Sequence, residues 1–218
     1  DGEFCCQFIP VGSPKEDKRR GKKTRRGKIK LLYLMANSLS CFADAYRANA
    51  YYLYECQKEI IGYIDALTEV SACIKPIPNY NQENCATGEL FNSLENARLI
   101  EDLTFVDCLD FYDIESVIMD YPSTPLFEAV GRDVDIFLMK DPVLPFTGEA
   151  MTLLAKRVHC FDDVRSLTGA ISEYLQGRLP RLRDRSFYER FVHRSGVEAR
   201  ISQIIDELME KGSRQTSA

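Results

Sequence analysis

The residues best suited to chemistry lie in the segment Ile118-Met119-Asp120-Tyr121-Pro122-Ser123-Thr124-Pro125-Leu126-Phe127-Glu128-Ala129-Val130-Gly131. An apolar strand ends at Asp120, and two hydroxyl residues then open a helix. Thr124 fits the N-cap, Pro125 the first helical position and Gly131 the stop. A helix that begins at the carboxyl edge of a sheet presents free N–H groups and a partial positive charge, which suit a phosphate. The Ser123 and Thr124 hydroxyls add donors, and Glu128, one turn in, is placed to accept hydrogen bonds from sugar hydroxyls. The same residues also satisfy a plainer reading, in which Ser/Thr-Pro caps a core helix.

Other chemistry-bearing residues are sparse. The eight cysteines, at 5, 6, 41, 56, 73, 85, 108 and 160, form no Cys-x-x-Cys pair and no zinc spacing. Several sit in apolar runs, where a small buried hydrophobe is the default, and free thiols are expected. His159 and His193 are far apart in sequence, and His159, in an apolar strand, reads as a packing residue rather than a ligand. No metal is implied. Lys75, at a strand end before Pro76, offers a positive charge to a phosphate or to a plain salt bridge.

These residues need a scaffold, and the chain supplies an alternation of strands and helices. Apolar strands are expected at 29–36, 70–75, 98–100, 116–119, 134–138 and 158–161. Helical spacing covers 43–67, 89–97, 103–112, 124–130, 149–156, 164–176, 187–193 and 197–211. The helix from Val164 is strongly amphipathic, with Val164, Leu167, Ile171, Tyr174 and Leu175 on one face. Continuous apolar strands alternating with helices imply a doubly wound α/β domain, a mostly parallel sheet covered on both faces. Ligands of such sheets bind outside the carboxyl ends of the strands. Position alone therefore selects the loops 37–41, 75–82, 120–125 and 139–148, which hold Ser38, Ser40, Lys75, Asp120, Ser123 and Thr124.

With 218 residues, 45% hydrophobic and 28% charged, the composition excludes a disordered or collagen-like chain. No run of 18 apolar residues is present, and no secretory signal pattern opens the sequence. The net charge of −5 hides a local +8 between Lys15 and Lys30 against −13 over the rest. Such a run reads as a solvated linker, or as a docking element for anionic lipid or an acidic partner. It lacks the interleaved aromatic residues on which single-stranded nucleic acid stacks, which argues against nucleic acid as a partner.

The run Asp120-Tyr-Pro-Ser-Thr-Pro-Leu-Phe-Glu-Ala129 resembles the Asp-(Tyr/Ser)-x-Ser-(Thr/Ser)-x-x-x-Glu-Ala signature in the C-terminal domain of GT-B glycosyltransferases. Bacterial surface-carbohydrate and capsule transferases are the nearest resemblance, with CDP-glycerol glycerophosphotransferases beside them. Val11-Gly-Ser-Pro-Lys15 is similar to the hinge entering that domain, and Lys28–Leu34 to its first strand. Ile74-Lys-Pro-Ile-Pro78 is similar to its Lys-Pro-His-Pro turn, and the segment 149–163 to its late helix, strand and acidic turn. The likeness spans about residues 11–211.

The resemblance implies a Rossmann-like half of a two-domain enzyme, gripping a nucleotide-activated sugar for cell-surface polysaccharide synthesis. Ser123 and Thr124 would hold phosphate, Glu128 the ribose or donor sugar and Lys75 a counter-charge, with Asp120, Ser38 and Ser40 lining the site. Residues 1–27 would be a hinge and basic linker from a missing N-terminal domain. Residues 28–211 would be the nucleotide-donor domain, and 212–218 a disordered tail. The general base would lie on the other domain, leaving this part inactive alone, and no cofactor is required. The location implied is cytoplasmic, peripheral at the inner membrane face through Lys15–Lys30. A CDP-linked donor, or a diverged non-catalytic nucleotide-binding scaffold, stands as the alternative. Two departures bear on this: Ile77 replaces the usual His, and Asp135 interrupts an apolar strand where the family has Gly-Lys-Pro-Val-Ile.

Overall fold

The computed structural model describes residues 27–36, 50–76, 88–140, 146, 148–192 and 197–215. Contacts divide the chain at Arg185. The sheet lies in the unit Lys22–Arg185, and the two C-terminal elements belong to the other unit.

The apolar runs become six strands: β1 (Gly27–Leu34), β2 (Ala72–Lys75), β3 (Arg98–Leu99), β4 (Tyr112–Met119), β5 (Asp135–Met139) and β6 (His159–Phe161). All pairs are parallel, and the spatial order is β3-β2-β1-β4-β5-β6. This is a Rossmann-like doubly wound sheet, as the alternation of strands and helices predicts. The order reverses between β1 and β4, so the switch point lies between their carboxyl ends.

Five helices connect the strands, α1 (Ala50–Asp65), α2 (Gly88–Asn92), α3 (Phe105–Phe111), α4 (Thr124–Val130) and α5 (Gly148–Leu154), and α6 (Val164–Leu175) follows β6. On one face, Ile60, Ile61 and Ile64 of α1 and Leu167, Ile171 and Tyr174 of α6 pack with Leu31, Tyr33, Ile74, Ile118 and Phe137. Alternate strand residues, Leu32, Cys73, Val117 and Leu138, are buried on the opposite face. In the second unit, Tyr188–Val192 forms a π-helical turn and α7 runs Val197–Gln215, beyond the Lys211 at which the sequence pattern ends it.

Both central strands are longer than their apolar cores. β1 begins Gly27-Lys-Ile-Lys and β4 begins Tyr112-Asp-Ile-Glu, two alternating stretches that pair in register with Lys28 opposite Asp113. Lys28 and Lys30 both bond Glu115. Burial alone would raise the Glu115 carboxyl, but the two lysines outweigh it and hold it below the usual carboxylate range.

Asp135 has a structural explanation. It opens β5 at the amino edge of the sheet, only 1% exposed, and accepts from Arg183 Nη1 at 2.5 Å and Tyr174 Oη at 3.1 Å, with Arg181 Nε at 3.5 Å. A buried carboxylate is tolerated when paired in this way. It lies at the amino edge of the sheet, opposite the carboxyl ends of the strands.

Helix α6 ends in a Schellman motif. Gly177 takes φ 72°, its N–H bonds Tyr174 O at 2.9 Å, and the Arg178 N–H bonds Glu173 O at 2.9 Å. A Cβ added at Gly177 meets nothing within 4 Å, so only the left-handed backbone resists substitution. Gly177→Ala is expected to cost about 1 kcal/mol, read as a lower urea midpoint at unchanged slope.

Candidate functional site

Asp120 follows the last residue of β4 and lies at the switch point. Its Oδ1 accepts the Ala36 N–H at 2.8 Å, and its Oδ2 accepts from Tyr33 Oη at 2.9 Å and Gln57 Nε2 at 2.7 Å. Gln57 Nε2 also donates to Ala36 O at 2.9 Å. The carboxylate thus ties the exit of β1 to the end of β4 through α1. Burial raises the Asp120 carboxyl above the usual carboxylate range, and the bonds from Gln57, Tyr33 and Ala36 offset only part of that. Sequence reasoning placed Asp120 against the ligand, whereas both its oxygens here are engaged by the protein.

Tyr33 and Gln57 were not among the expected site residues. A signal existed for Gln57: it precedes Ile60, Ile61 and Ile64 at helical spacing, which puts an amide on the apolar face of α1. A tyrosine inside the buried run Leu31-Leu32-Tyr33-Leu34 likewise needs a partner for its hydroxyl.

Ser123 and Thr124 leave β4 at the same edge. The N-cap is Ser123, extended at φ −132° and ψ −179°, one residue before the expected Thr124; Pro125 is therefore the second helical residue. Pro125 disfavours helical geometry in the residue before it, which is why the sequence points to Thr124 as the cap; here Thr124 is helical all the same, and the Leu126 N–H to Ser123 O bond closes the first turn one residue earlier. The Ser123 hydroxyl makes no capping bond, and Thr124 is exposed. Pro125 has no N–H, and the Leu126 N–H bonds Ser123 O at 2.9 Å. Anion binding at this corner would therefore rest on the two hydroxyls and the Thr124 N–H more than on a ring of free backbone donors. Glu128 sits one turn on, 9% exposed, with Leu126, Ala129 and Val130 on the buried side of α4.

Lys75 ends β2 beside Leu34, one register step from the Tyr33–Ile74 pair, so its side chain leaves the sheet on the face opposite Asp120. It is 1% exposed and donates to Pro76 O at 2.9 Å. Burial lowers its pKa, and the Asp102 and Glu101 carboxylates offset part of that. The Cys108 thiol, itself raised to about 12 by burial, stays neutral. Ser38, Ser40 and Ile77 lie outside the described residues. The structure therefore gathers Asp120, Ser123 and Thr124 at one corner, with Glu128 on the helix that starts there. Lys75 is set apart from them on the other side of the sheet.

Cys56, Cys73, Cys108 and Cys160 are free thiols. Among the described residues, no group of three or more His, Cys, Asp or Glu side chains is arranged to hold a metal ion. No helix among them is long and apolar enough to cross a membrane. No protein-family model matches the chain, and no curated protein matches it in sequence.

Proposed function

We propose that the unit Lys22–Arg185 binds the nucleotide-activated donor of a GT-B-type glycosyltransferase reaction that builds cell-surface polysaccharide. The observation that carries this reading is the strand order β3-β2-β1-β4-β5-β6, with the segment Asp120–Thr124 leaving β4 at the switch point. In such a site, Ser123 and Thr124 hold the diphosphate, and Glu128 accepts from the ribose or donor-sugar hydroxyls. Asp120 acts through the loop it anchors rather than on the ligand. The acceptor and the general base belong to a companion domain. The donor is a nucleotide sugar, or a CDP-linked unit in the glycerophosphotransferase version of the same reading. The basic run Lys15–Lys30 docks the assembly on an anionic membrane surface, where lipid-linked acceptors reside.

The commitment of Lys75 to Pro76 O and of Asp120 to three internal donors favours a second reading, a nucleotide-binding scaffold without catalysis. The Glu128 assignment is tested by calorimetry with ribo- and 2′,3′-dideoxynucleoside diphosphates. The wild type is expected to prefer the ribonucleotide, and Glu128→Gln to lose most of that preference at unchanged melting temperature. Equal discrimination by both proteins would remove Glu128 from the site.

A further inference from the structure

The hydrogen-bond network around Asp120 spends all its donors and leaves one acceptor over. Gln57, wholly buried on α1, sends Nε2 to Ala36 O at 2.9 Å and to Asp120 Oδ2 at 2.7 Å. Its Oε1, buried in the same amide, has no hydrogen-bond partner. Turning the amide round does not relieve this. Flipped, it would set an oxygen against a carbonyl and a carboxylate, neither of which offers a proton. The other two donors are committed as well: Tyr33 Oη and the Ala36 N–H both go to Asp120.

A buried acceptor without a donor costs stability, and native proteins nearly always supply one. Position restricts what can supply it here. Ala36 lies just past β1 and Asp120 just past β4, so the orphan oxygen sits at the carboxyl edge between the two central strands. The strand order reverses there, and ligands of doubly wound sheets bind at that point. Ala36, Tyr121, Pro122 and Ser123 along this edge are half-buried, so the amide lies close under the surface. Its chemistry is selective. The network offers oxygen acceptors only, Gln57 Oε1 with Ala36 O and the Asp120 carboxylate beside it. A phosphate brings acceptors and negative charge, and finds no donor among these groups; a hydroxyl or an amino group finds a free lone pair.

We infer that Gln57 Oε1 is a ligand subsite that accepts one neutral hydrogen-bond donor of the bound nucleoside, a ribose hydroxyl or a base N–H. The inference rests on the donor-site reading above and gives that site a polarity. The diphosphate lies on the Ser123–Thr124 side of the corner, and the donor-bearing nucleoside lies on the α1 side. Ala36 and Asp120 pin the amide in place, so the ligand meets an acceptor whose direction is already set and whose side-chain entropy is already lost.

Calorimetry of the whole chain tests this with pyrophosphate and with the tightest binder among CDP, UDP, GDP and ADP. Gln57→Met, similar in length but without the acceptor, should lose about tenfold in affinity for the nucleotide and nothing for pyrophosphate. Repeating the pair with the 2′,3′-dideoxy nucleotide separates the two sources. A loss that persists assigns the donor to the base, and one that vanishes assigns it to the ribose. Equal losses for both ligands would make Gln57 a purely structural residue, and no loss would leave Oε1 to an internal water. Either result overturns the inference while the donor site stands. Failure of both ligands to bind the folded wild type would instead remove the donor site, and the subsite with it. Proton resonances of the Gln57 side-chain amide in the wild type give a readout independent of any variant. They should shift with the nucleotide and not with pyrophosphate; no shift, or the same shift with both, contradicts the subsite.

Discussion

Asp120→Ala is expected to destabilise the sheet-bearing unit by about 3–5 kcal/mol, because three donors lose their only shared acceptor. Tyr33 Oη and Gln57 Nε2 both donate to Asp120 Oδ2 in buried surroundings, and the Ala36 N–H donates to Oδ1. The loss is read in urea denaturation, and hydrogen exchange at Ala36 should accelerate with it. Asp120→Asn, which keeps one carbonyl acceptor, should lose less. The pH dependence has a defined sign. Because the folded Asp120 carboxyl sits above its unfolded value, the folded state binds the extra proton in that interval. Its contribution to stability is thus greatest in acid and declines as pH rises from ~4 through the raised folded value. The difference in stability between wild type and Asp120→Asn should shrink over that window; a difference independent of pH would show that the carboxyl is not shifted upward.

Arg157→Ala should have an effect of similar size. Arg157, 2% exposed, is a buried guanidinium whose recorded partners are all backbone carbonyls. Nε donates to Val130 O at 3.2 Å and Nη1 to Leu182 O at 3.1 Å, while Nη2 donates to Arg132 O at 2.7 Å and Val134 O at 2.9 Å. It holds the turn between α4 and β5 in shape and fastens the segment 178–185 to it. Burial lowers its pKa to about 10, so it remains a cation at neutral pH. Truncation leaves these carbonyls without their donor and opens a cavity, a combined loss of about 3–5 kcal/mol. Arg157→Lys should recover little of it, since an ammonium cannot span the fork of acceptors that a guanidinium does. Chemical denaturation of the two variants measures this; a lysine variant as stable as wild type would mean that charge, not the fork, matters at this position.

The sheet was legible in the sequence because its strands are continuous apolar runs separated by helical periodicity. The amino-terminal half of β4 and the first two residues of β1 were hidden. Lys28, Lys30, Asp113 and Glu115 look like surface residues until the two strands are paired, when opposite charges meet across the central pair. Asp135 looked anomalous for the same reason: its partners, Arg181 and Arg183, come from a segment more than forty residues away. The corner Asp120–Thr124 was read from strand-end and capping rules, which depend only on neighbours in sequence. The commitments of Asp120 and Lys75 could not be read that way. Gln57 approaches Asp120 across 63 positions, and whether a strand-end lysine faces solvent or a helix is decided by the packing of α3.

The most direct test of the donor-site reading is isothermal titration of the purified chain with CDP, UDP, GDP and ADP, repeated on Ser123→Ala/Thr124→Ala. Selective binding of one diphosphate, reduced at least tenfold in the double variant with its melting temperature retained, is the expected result. Selective binding that the double variant keeps in full, or no binding to a folded wild-type chain, would contradict a donor site at the corner between β4 and α4.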